Sequence, residues 1–566
     1  MARLAMGWRK PDNVAGSSAP AIMVGFFVAT GGLLFGYDTG SINGIIAMSA
    51  FRKQFGTDRH ADPPMPLSSD RLAAIIAILS AGTIVGALAS APAADIIGRR
   101  ISMLYSIGVF VFGVIFQICS TRIPMLLAGR FFSGIGIGAV SVLVPLYQSE
   151  MAPKWIRGTL VCAYQLFITV GLLTASIVNI LTYRMQNAAA YRIPMGLQLA
   201  WVCFLTLGIL VLPETPRYLI KCGMRDAAAL SLSRLRRLDI THPALIEELA
   251  EIQANHEYEM ALGPDTYMEM FRGAPHLGRR TLTGSILQSL QQLTGINFIM
   301  YYGTSFFSQA GIGNAFSVYL IINVVNVVST VPGLFIVEAW GRRKLLMAGA
   351  VGMAVSQLLI ASFTAAAPSG LAHASVTILL IFVAIFIFFF AASWGPVVWV
   401  VTSEMYPLKV RARSIALTTS ANWCFNFAVS YSTPFLVDET QGSAALGSRV
   451  FFIWGTFCIL SVFVVYFMVF ETSRLSLEQI DEMYERVTKA WLSPAFEPSW
   501  SFQQMRDLGY SESGIPPEVA HETAQVQHHE LAPTTSHSET NTDVTASSSG
   551  SESKEIPAMA DVDLAY

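Results

Sequence analysis

Between Gln288 and Tyr302 the chain reads QSLQQLTGINFIMYY, which places three glutamines and an asparagine in a stretch hydrophobic enough to lie in a lipid bilayer. An amide buried in hydrocarbon without a partner costs about 2–7 kcal/mol, so four of them on one stretch point to a polar cavity rather than a lipid-facing surface. At about 100° per residue, Gln288, Gln291, Gln292, Gly295 and Tyr302 share one side of a helix, whereas Asn297 points to the other. A helix break at Gly295 would swing Asn297 back. Each amide brings two donors and an acceptor with two lone pairs, which suits a small, neutral, hydroxyl-covered solute of the sugar kind better than an ion.

Such a site needs membrane-crossing helices to hold it, and the composition supplies them. The 566 residues are 53% hydrophobic and only 13% charged, well below the roughly 25% charged share of soluble domains. Twelve hydrophobic runs lie near 20–46, 70–94, 101–120, 124–149, 158–182, 192–213, 281–310, 314–337, 345–366, 375–402, 412–436 and 449–470. The first follows a polar lead with Arg3, Arg9 and Lys10 and is too long for a signal sequence, so it reads as a retained span. Arg99, Arg100, Lys154, Arg157, Arg342, Arg343, Lys344, Lys409, Arg411 and Arg413 fall in short loops on one side, while the short loops after spans 3, 7 and 9 carry only Arg122. The positive-inside rule makes the basic side cytosolic and puts both termini there.

Three motifs recur in the same order. Asp95-Ile-Ile-Gly98-Arg99-Arg100 returns as Glu338-Ala-Trp-Gly341-Arg342-Arg343, Glu150-Met-Ala-Pro153 with Arg157 as Glu404-Met-Tyr-Pro407 with Arg411, and Glu214-Thr-Pro-Arg217 as Glu471-Thr-Ser-Arg474. The offsets of 243, 254 and 257 residues mark two six-span halves in a parallel duplication, an arrangement that places a solute site near the midplane between them. The expected fold is therefore an all-α membrane protein of twelve transmembrane helices in two six-helix pseudo-repeats, with a cytosolic helical loop between them. Its expected parts are a cytosolic segment 1–19, a first half 20–213, a cytosolic helical linker 214–280, a second half 281–470, a cytosolic helix 471–492 opened by Ser476 as N-cap, and a disordered cytosolic tail 493–566. No nucleophile sits with a base, no glycine-rich phosphate loop appears, and all nine His lie outside the spans, so neither enzyme chemistry nor a metal, cofactor or nucleic-acid partner is expected. The six cysteines lie in spans or just inside them and read as packing rather than a disulfide framework.

The repeats, together with GGLLFGYDTGSING, GRFFSGIGIG, PLYQSEMAPKWIRG, PETPRYL, QQLTGINFIMYY, SWGPVVWVVTSEMYPLKVR and ETSRLSLEQI, resemble the sugar porter family of the major facilitator superfamily over essentially all of residues 20–485, with wording similar to fungal hexose transporters. The resemblance implies a plasma-membrane hexose transporter, glucose first among its substrates, working as a monomer by alternating access. It implies sugar contacts from Gln165 on span 5, Gln291, Gln292 and Asn297 on span 7, Asn326 on span 8, Trp399 on span 10 and Asn422 on span 11; Gln288 joins them by its place on the span-7 face. Ala91, Ala412 and Phe470 depart from the family pattern in loops only. A glucose sensor with the same pocket, little flux and signalling through the tail is the alternative.

Asn323 and Asn426 are read equally as interhelical staples, and Trp394 as packing. The family implies that Asp95, Arg99, Glu150, Arg157, Glu214, Arg217, Glu338, Arg342, Glu404 and Arg411 form a cytosolic charge network joining the halves when the cavity opens outward. Asp38 on span 1 and Arg130 on span 4 fall within or near the hydrophobic zone, where ions pair or face water. The resemblance implies that this Asp and Arg face each other and that the pair is a proton-coupling candidate, with a structural ion pair as the alternative; burial would favour a neutral carboxyl and the guanidinium would oppose it.

Overall fold

The computed structural model describes residues 15–56, 67–261, 267–273, 276–309, 314–366, 372–437, 444–473, 475 and 477–497, which are helical with no strand among them. Ten stretches are long and apolar enough to cross a membrane: Ala19–Ala47, Ser69–Ile97, Arg99–Ile118, Ile123–Met151, Arg157–Thr182 and Ala189–Val211, then Ala315–Trp340, Arg342–Ala365, Thr377–Glu404 and Gly447–Met468. Two further elements complete the second set of six. One is Leu277–Leu293 followed by Ile296–Gln309; the other is Arg411–Val437. These two carry the amides, and the polar residues that make a site also lower their hydropathy.

The duplication is visible at the turns. Gly98 and Gly341 both adopt positive φ, at 89° and 85°, turning the second span of each half into the third. A carboxylate then meets the start of the third helix. Glu214 accepts from Arg99 N at 3.2 Å and Arg100 N at 3.0 Å, and Glu471 accepts from Arg342 N at 2.8 Å and Arg343 N at 3.1 Å. Free N–H groups and the helix dipole favour an anion at that place, which is why the same acid recurs in both repeats. Within the first half, spans 2 and 4 approach until a Cβ at Gly82 or Gly86 would lie 2.1 or 2.0 Å from the carbonyls of Phe131 and Ile135. Small residues allow this backbone contact where the hydrophobic effect gives no drive between helices.

Among the described residues, three spans are interrupted part-way along their length. Span 1 divides into Ala19–Ala29 and Gly32–Ala47. Span 7 divides at Thr294–Gly295, with Gly295 at φ 79°, and span 10 carries a π-turn over Phe390–Trp394. Irregular backbone at membrane depth is tolerated where protein surrounds it.

Two boundaries differ from expectation. The seventh span starts at Leu277 rather than 281, so Arg279 and Arg280 lie in its first turns instead of the linker. Arg279 donates to Thr488 O at 2.7 Å, and Arg280 donates to Met405 O at 3.2 Å and pairs with Asp481. Ordered structure also continues past 493. The helix after span 12 ends at Arg486, and a 3-10 turn, Ala490–Ala495, docks Trp491 flat on Tyr466 with centroids 5.9 Å apart while Ser493 Oγ accepts from Glu471 N at 2.9 Å. The N-cap expected at Ser476, and residues 1–14 and 498–566 with most of the expected tail, lie outside the described residues. Truncation after Glu497 is therefore expected to leave uptake unchanged, whereas truncation after Lys489 removes the Trp491 and Ser493 contacts, worth about 1–3 kcal/mol together. Thermal melting of the solubilised protein checks this: equal midpoints for the two truncations would show the 3-10 turn to be idle.

Candidate functional site

The break at Gly295 decides the site. A Cβ there would sit 2.4 Å from the Trp454 ring, so the chain turns against that indole with no side chain of its own. After the turn Asn297 faces the glutamines, and its Nδ2 donates to Gln292 Oε1. Gln292 Oε1 also accepts from Asn426 Nδ2 at 3.1 Å, while its Nε2 donates to Asn422 Oδ1 at 2.8 Å. Asn422 Nδ2 in turn donates to Gln288 Oε1 at 2.7 Å and Gln291 Oε1 at 2.8 Å. Gln288 Nε2 reaches Thr402 Oγ1 at 3.2 Å, and Gln291 Nε2 reaches the carbonyls of Trp394 at 2.9 Å and Gly395 at 3.1 Å, where the π-turn presents them. All these side chains are buried.

Gln288, Gln291, Gln292, Asn297 and Asn422 thus form one closed amide network across spans 7, 10 and 11. Within spans 7 and 11 its bonds run amide to amide, and it reaches span 10 through the Thr402 hydroxyl and the carbonyls of Trp394 and Gly395. A hydroxyl-rich ligand can exchange for them at small net cost, because one neutral hydrogen bond replaces another. From the first half Gln165 approaches the same place, its Nε2 3.2 Å from where a Cβ on Gly395 would lie. Trp399 meets Tyr164 edge-on at 5.8 Å. Asn326 is buried, and among the described residues no hydrogen bond ties its Oδ1 to the cluster. Asn323 staples the halves, donating to Ser176 Oγ at 2.9 Å, and the Trp394 indole is spent on Leu346 O at 2.9 Å.

Both ends of the site are closed. On the side opposite the basic loops, Asn43 Nδ2 donates to Met300 O at 2.7 Å and its Oδ1 accepts from Thr304 N at 3.2 Å, gripping the outer half of span 7 from span 1. Tyr183 stacks on Phe316 at 4.7 Å. At mid-height Ser80 donates to Asn426 Oδ1 at 2.6 Å and Trp423 Nε1 to Ser141 Oγ at 3.1 Å. Asn43, Ser80 and Thr402 went unnoticed in the sequence. Asn426 carried a signal, since it stands four residues after Asn422 on the same helix face.

On the basic side the charges pair as repeats. Arg99 bonds Glu150 at 2.9 and 3.1 Å and lies 3.7 Å from Asp95; Arg342 bonds Glu404 at 2.9 and 3.2 Å and Glu338 at 2.8 Å. Thr215 and Thr472 hydroxyls donate to Glu150 and Glu404 at 2.6 and 2.8 Å. The halves meet where Arg413 Nε lies 3.7 Å from Asp95 Oδ2 and where a Cβ on Gly158 would fall 2.5 Å from both Arg342 Nη2 and Glu338 Oε1. Arg157 and Arg217 line one small cavity with Glu150, and buried Arg411 donates to Tyr406 O at 3.0 Å. Burial pushes the Glu214 carboxyl above its usual range, against the pull of the N–H bonds from Thr215 and Arg100.

Deeper in the first half, Arg130 Nη2 stands 3.6 Å from Asp38 Oδ2, both groups buried. Arg130 Nε is anchored on Ile75 O at 2.7 Å, and Gln198 Nε2 donates to Asp38 Oδ1 at 3.3 Å. Gln198 was missed; a lone glutamine on a hydrophobic span was the available signal.

A family model described as "Sugar (and other) transporter" matches residues 24–484. The chain is 65% identical over 524 residues to "Probable glucose transporter rco-3" of Neurospora crassa, covering 91% of this chain and 88% of that one. It is 41% identical over 481 residues to "High glucose sensor RGT2" of Saccharomyces cerevisiae, covering 84% of this chain and 62% of that longer protein. Among solved structures, the proton:xylose symporter XylE bound to 6-bromo-6-deoxy-D-glucose superposes with a TM-score of 0.72 at 25% identity, covering 83% of this chain and all of the other. The twelve-helix duplicated bundle, the broken seventh span with its amides and the family match together make this chain a member of the sugar transporter family of the major facilitator superfamily, a transporter and not an enzyme.

Proposed function

We propose that this protein carries a hexose, glucose before others, across the plasma membrane by alternating access, as a monomer with both termini cytosolic. The moving bodies are the halves 20–213 and 281–470, with the linker 214–280 and the segment 471–492 on the cytosolic side. The observation that carries this reading is the uncharged amide network of Gln288, Gln291, Gln292, Asn297 and Asn422, faced by Gln165 and closed at both ends. A sugar enters by exchanging hydroxyls for amide–amide bonds, and Trp399 offers a ring face to its C–H surface. Proton passage is assigned to Asp38 and Arg130. The "Probable glucose transporter rco-3" of Neurospora crassa and the proton:xylose symporter support the substrate class and the coupling by similarity.

Labelled-glucose uptake in a host lacking its own hexose carriers, with and without a protonophore, tests the reading. Gln291→Ala and Gln292→Ala are each expected to weaken apparent affinity about 5- to 150-fold, from hydrogen bonds worth about 1–3 kcal/mol. Unchanged affinity in both would return these amides to helix packing. The match to a high glucose sensor supports a second reading, in which the same site binds glucose with little flux. Glucose binding to the purified protein without uptake by the host would select it.

A further inference from the structure

On the basic side, the described residues 267–272 near the end of the linker leave large apolar side chains uncovered. Tyr267, Met268 and Phe271 are 54%, 57% and 53% exposed, beside the helical turn Glu269–Arg272. Three such residues within five positions make a patch rather than a scattering. The rest of the turn is fixed. Met270 is buried with Leu277, Val410 and Leu417, Thr281 Oγ1 donates to Met270 O at 2.9 Å, and Lys409 pairs with Glu269 at 2.7 Å.

The location of the patch identifies what covers it. The carbonyl of Phe271 lies 2.2 Å from where a Cβ on Gly278 would stand, so the turn is pressed against the Gly278 face of span 7. One helical turn further on the same face is Leu282, 56% exposed on a membrane-crossing helix and therefore facing lipid. Phe271 thus continues a lipid-facing stripe below its end. Basic groups mark the headgroup level here. Arg272 is exposed on the same turn, and Arg413 lies over the Tyr267 ring at 4.7 Å. Tyrosine beside arginine is the pairing favoured at a membrane–water boundary.

We propose that Tyr267–Arg272 is an interfacial anchor, with Met268 and Phe271 among the acyl chains of the leaflet on the basic side and Arg272 at its phosphate headgroups. The proposal rests on the orientation of the chain in the bilayer and not on its substrate. It also ties lipid to the gate, because Lys409 stands just before, and Arg413 in the first turn of, the helix that Arg411 opens, and Arg413 reaches Asp95 across the halves at 3.7 Å.

The test uses the full native chain in vesicles of phosphatidylcholine and phosphatidylserine doped with a phospholipid bearing a diazirine on its acyl chain. After illumination, peptide mapping is expected to find adducts on 267–272 as well as on the peptide holding Leu282. Adducts at Leu282 with none on 267–272 overturn the proposal. A second measurement places a fluorophore at Met268→Cys or Phe271→Cys in a chain whose six native cysteines are replaced, with Ile246→Cys on the linker as the water-exposed control. Lipid-borne quencher should exceed aqueous iodide by about twofold or more at 268 and 271, with the reverse at 246. Shielding of 268 and 271 from both quenchers assigns the patch to a protein partner, either the chain's own tail or a second copy, and rejects the lipid.

Discussion

Replacing Arg342 by methionine is expected to open the face that carries the basic loops and to raise the rate of Cys162 modification from that side by about 10²-fold or more. Arg342 is buried and holds Glu338 and Glu404 through four hydrogen bonds between 2.8 and 3.2 Å. Methionine keeps much of the volume and removes the charge. Two carboxylates are then left together in the closed state, and breaking a buried pair costs about 3–5 kcal/mol. Where the face opens, water solvates both acids and the loss shrinks toward the 0–1 kcal/mol typical of exposed pairs. The difference acts on the closed–open equilibrium, and only that difference can shift it. Cys162 is a native reporter: it is fully buried on span 5, one helical turn beyond Gly158, which packs against Arg342 and Glu338. Modification of inside-out vesicles by a membrane-impermeant maleimide, read at Cys162 by mass spectrometry, measures the shift. Arg99→Met, in the matching repeat, should act in the same direction. An unchanged Cys162 rate in folded, correctly inserted Arg342→Met would show that the network does not hold the closed state.

The bundle and the span-7 part of the candidate site were legible in the sequence, for different reasons. Hydropathy and charge bias are properties of whole segments, so the spans emerged, and the three duplicated motifs revealed the pseudo-repeat. Asn297 was placed correctly because Gly295 is the residue type that turns a helix, and its φ of 79° is the predicted break. Asn426 and Gln198 were harder. Each is a single amide whose partner lies far away in the chain, Ser80 being 346 positions from Asn426 and Asp38 being 160 from Gln198. Periodicity reports which face a residue is on, not which helix stands opposite. Asn43 was illegible for the same reason, since its partners are backbone atoms of span 7 that carry no side-chain signature. The start of span 7 was set too late because Arg279 and Arg280 read as loop charge, whereas the fold spends them on Thr488 O, Met405 O and Asp481.

Asp38→Asn is expected to turn accumulation of sugar into mere equilibration. Asparagine keeps the shape of the side chain and an oxygen for the Gln198 amide, but cannot gain or lose the proton. In the wild type the carboxylate faces Arg130 Nη2 across 3.6 Å, and the guanidinium is anchored by Ile75 O on span 2. That anchor matters: moving span 2 relative to span 1 would separate the charges and leave a buried carboxylate alone, which favours taking up a proton from outside. Restoring the pair on inward opening would then expel the proton on the inner side. On that scheme proton and sugar would be two biases on one equilibrium, each altering the other's affinity by the same factor. One proton moving through 100 mV contributes about 2.3 kcal/mol, enough for roughly 50-fold accumulation of a neutral sugar. The measurement is the steady-state sugar ratio together with alkalinisation of the medium, in wild type and in Asp38→Asn. Wild type should show both and the variant neither, while the variant still exchanges labelled for unlabelled sugar. If the wild type itself neither accumulates sugar nor alkalinises the medium, the protein is a facilitator, and Asp38 with Arg130 and Gln198 is a structural cluster that pins span 1 to spans 2, 4 and 6.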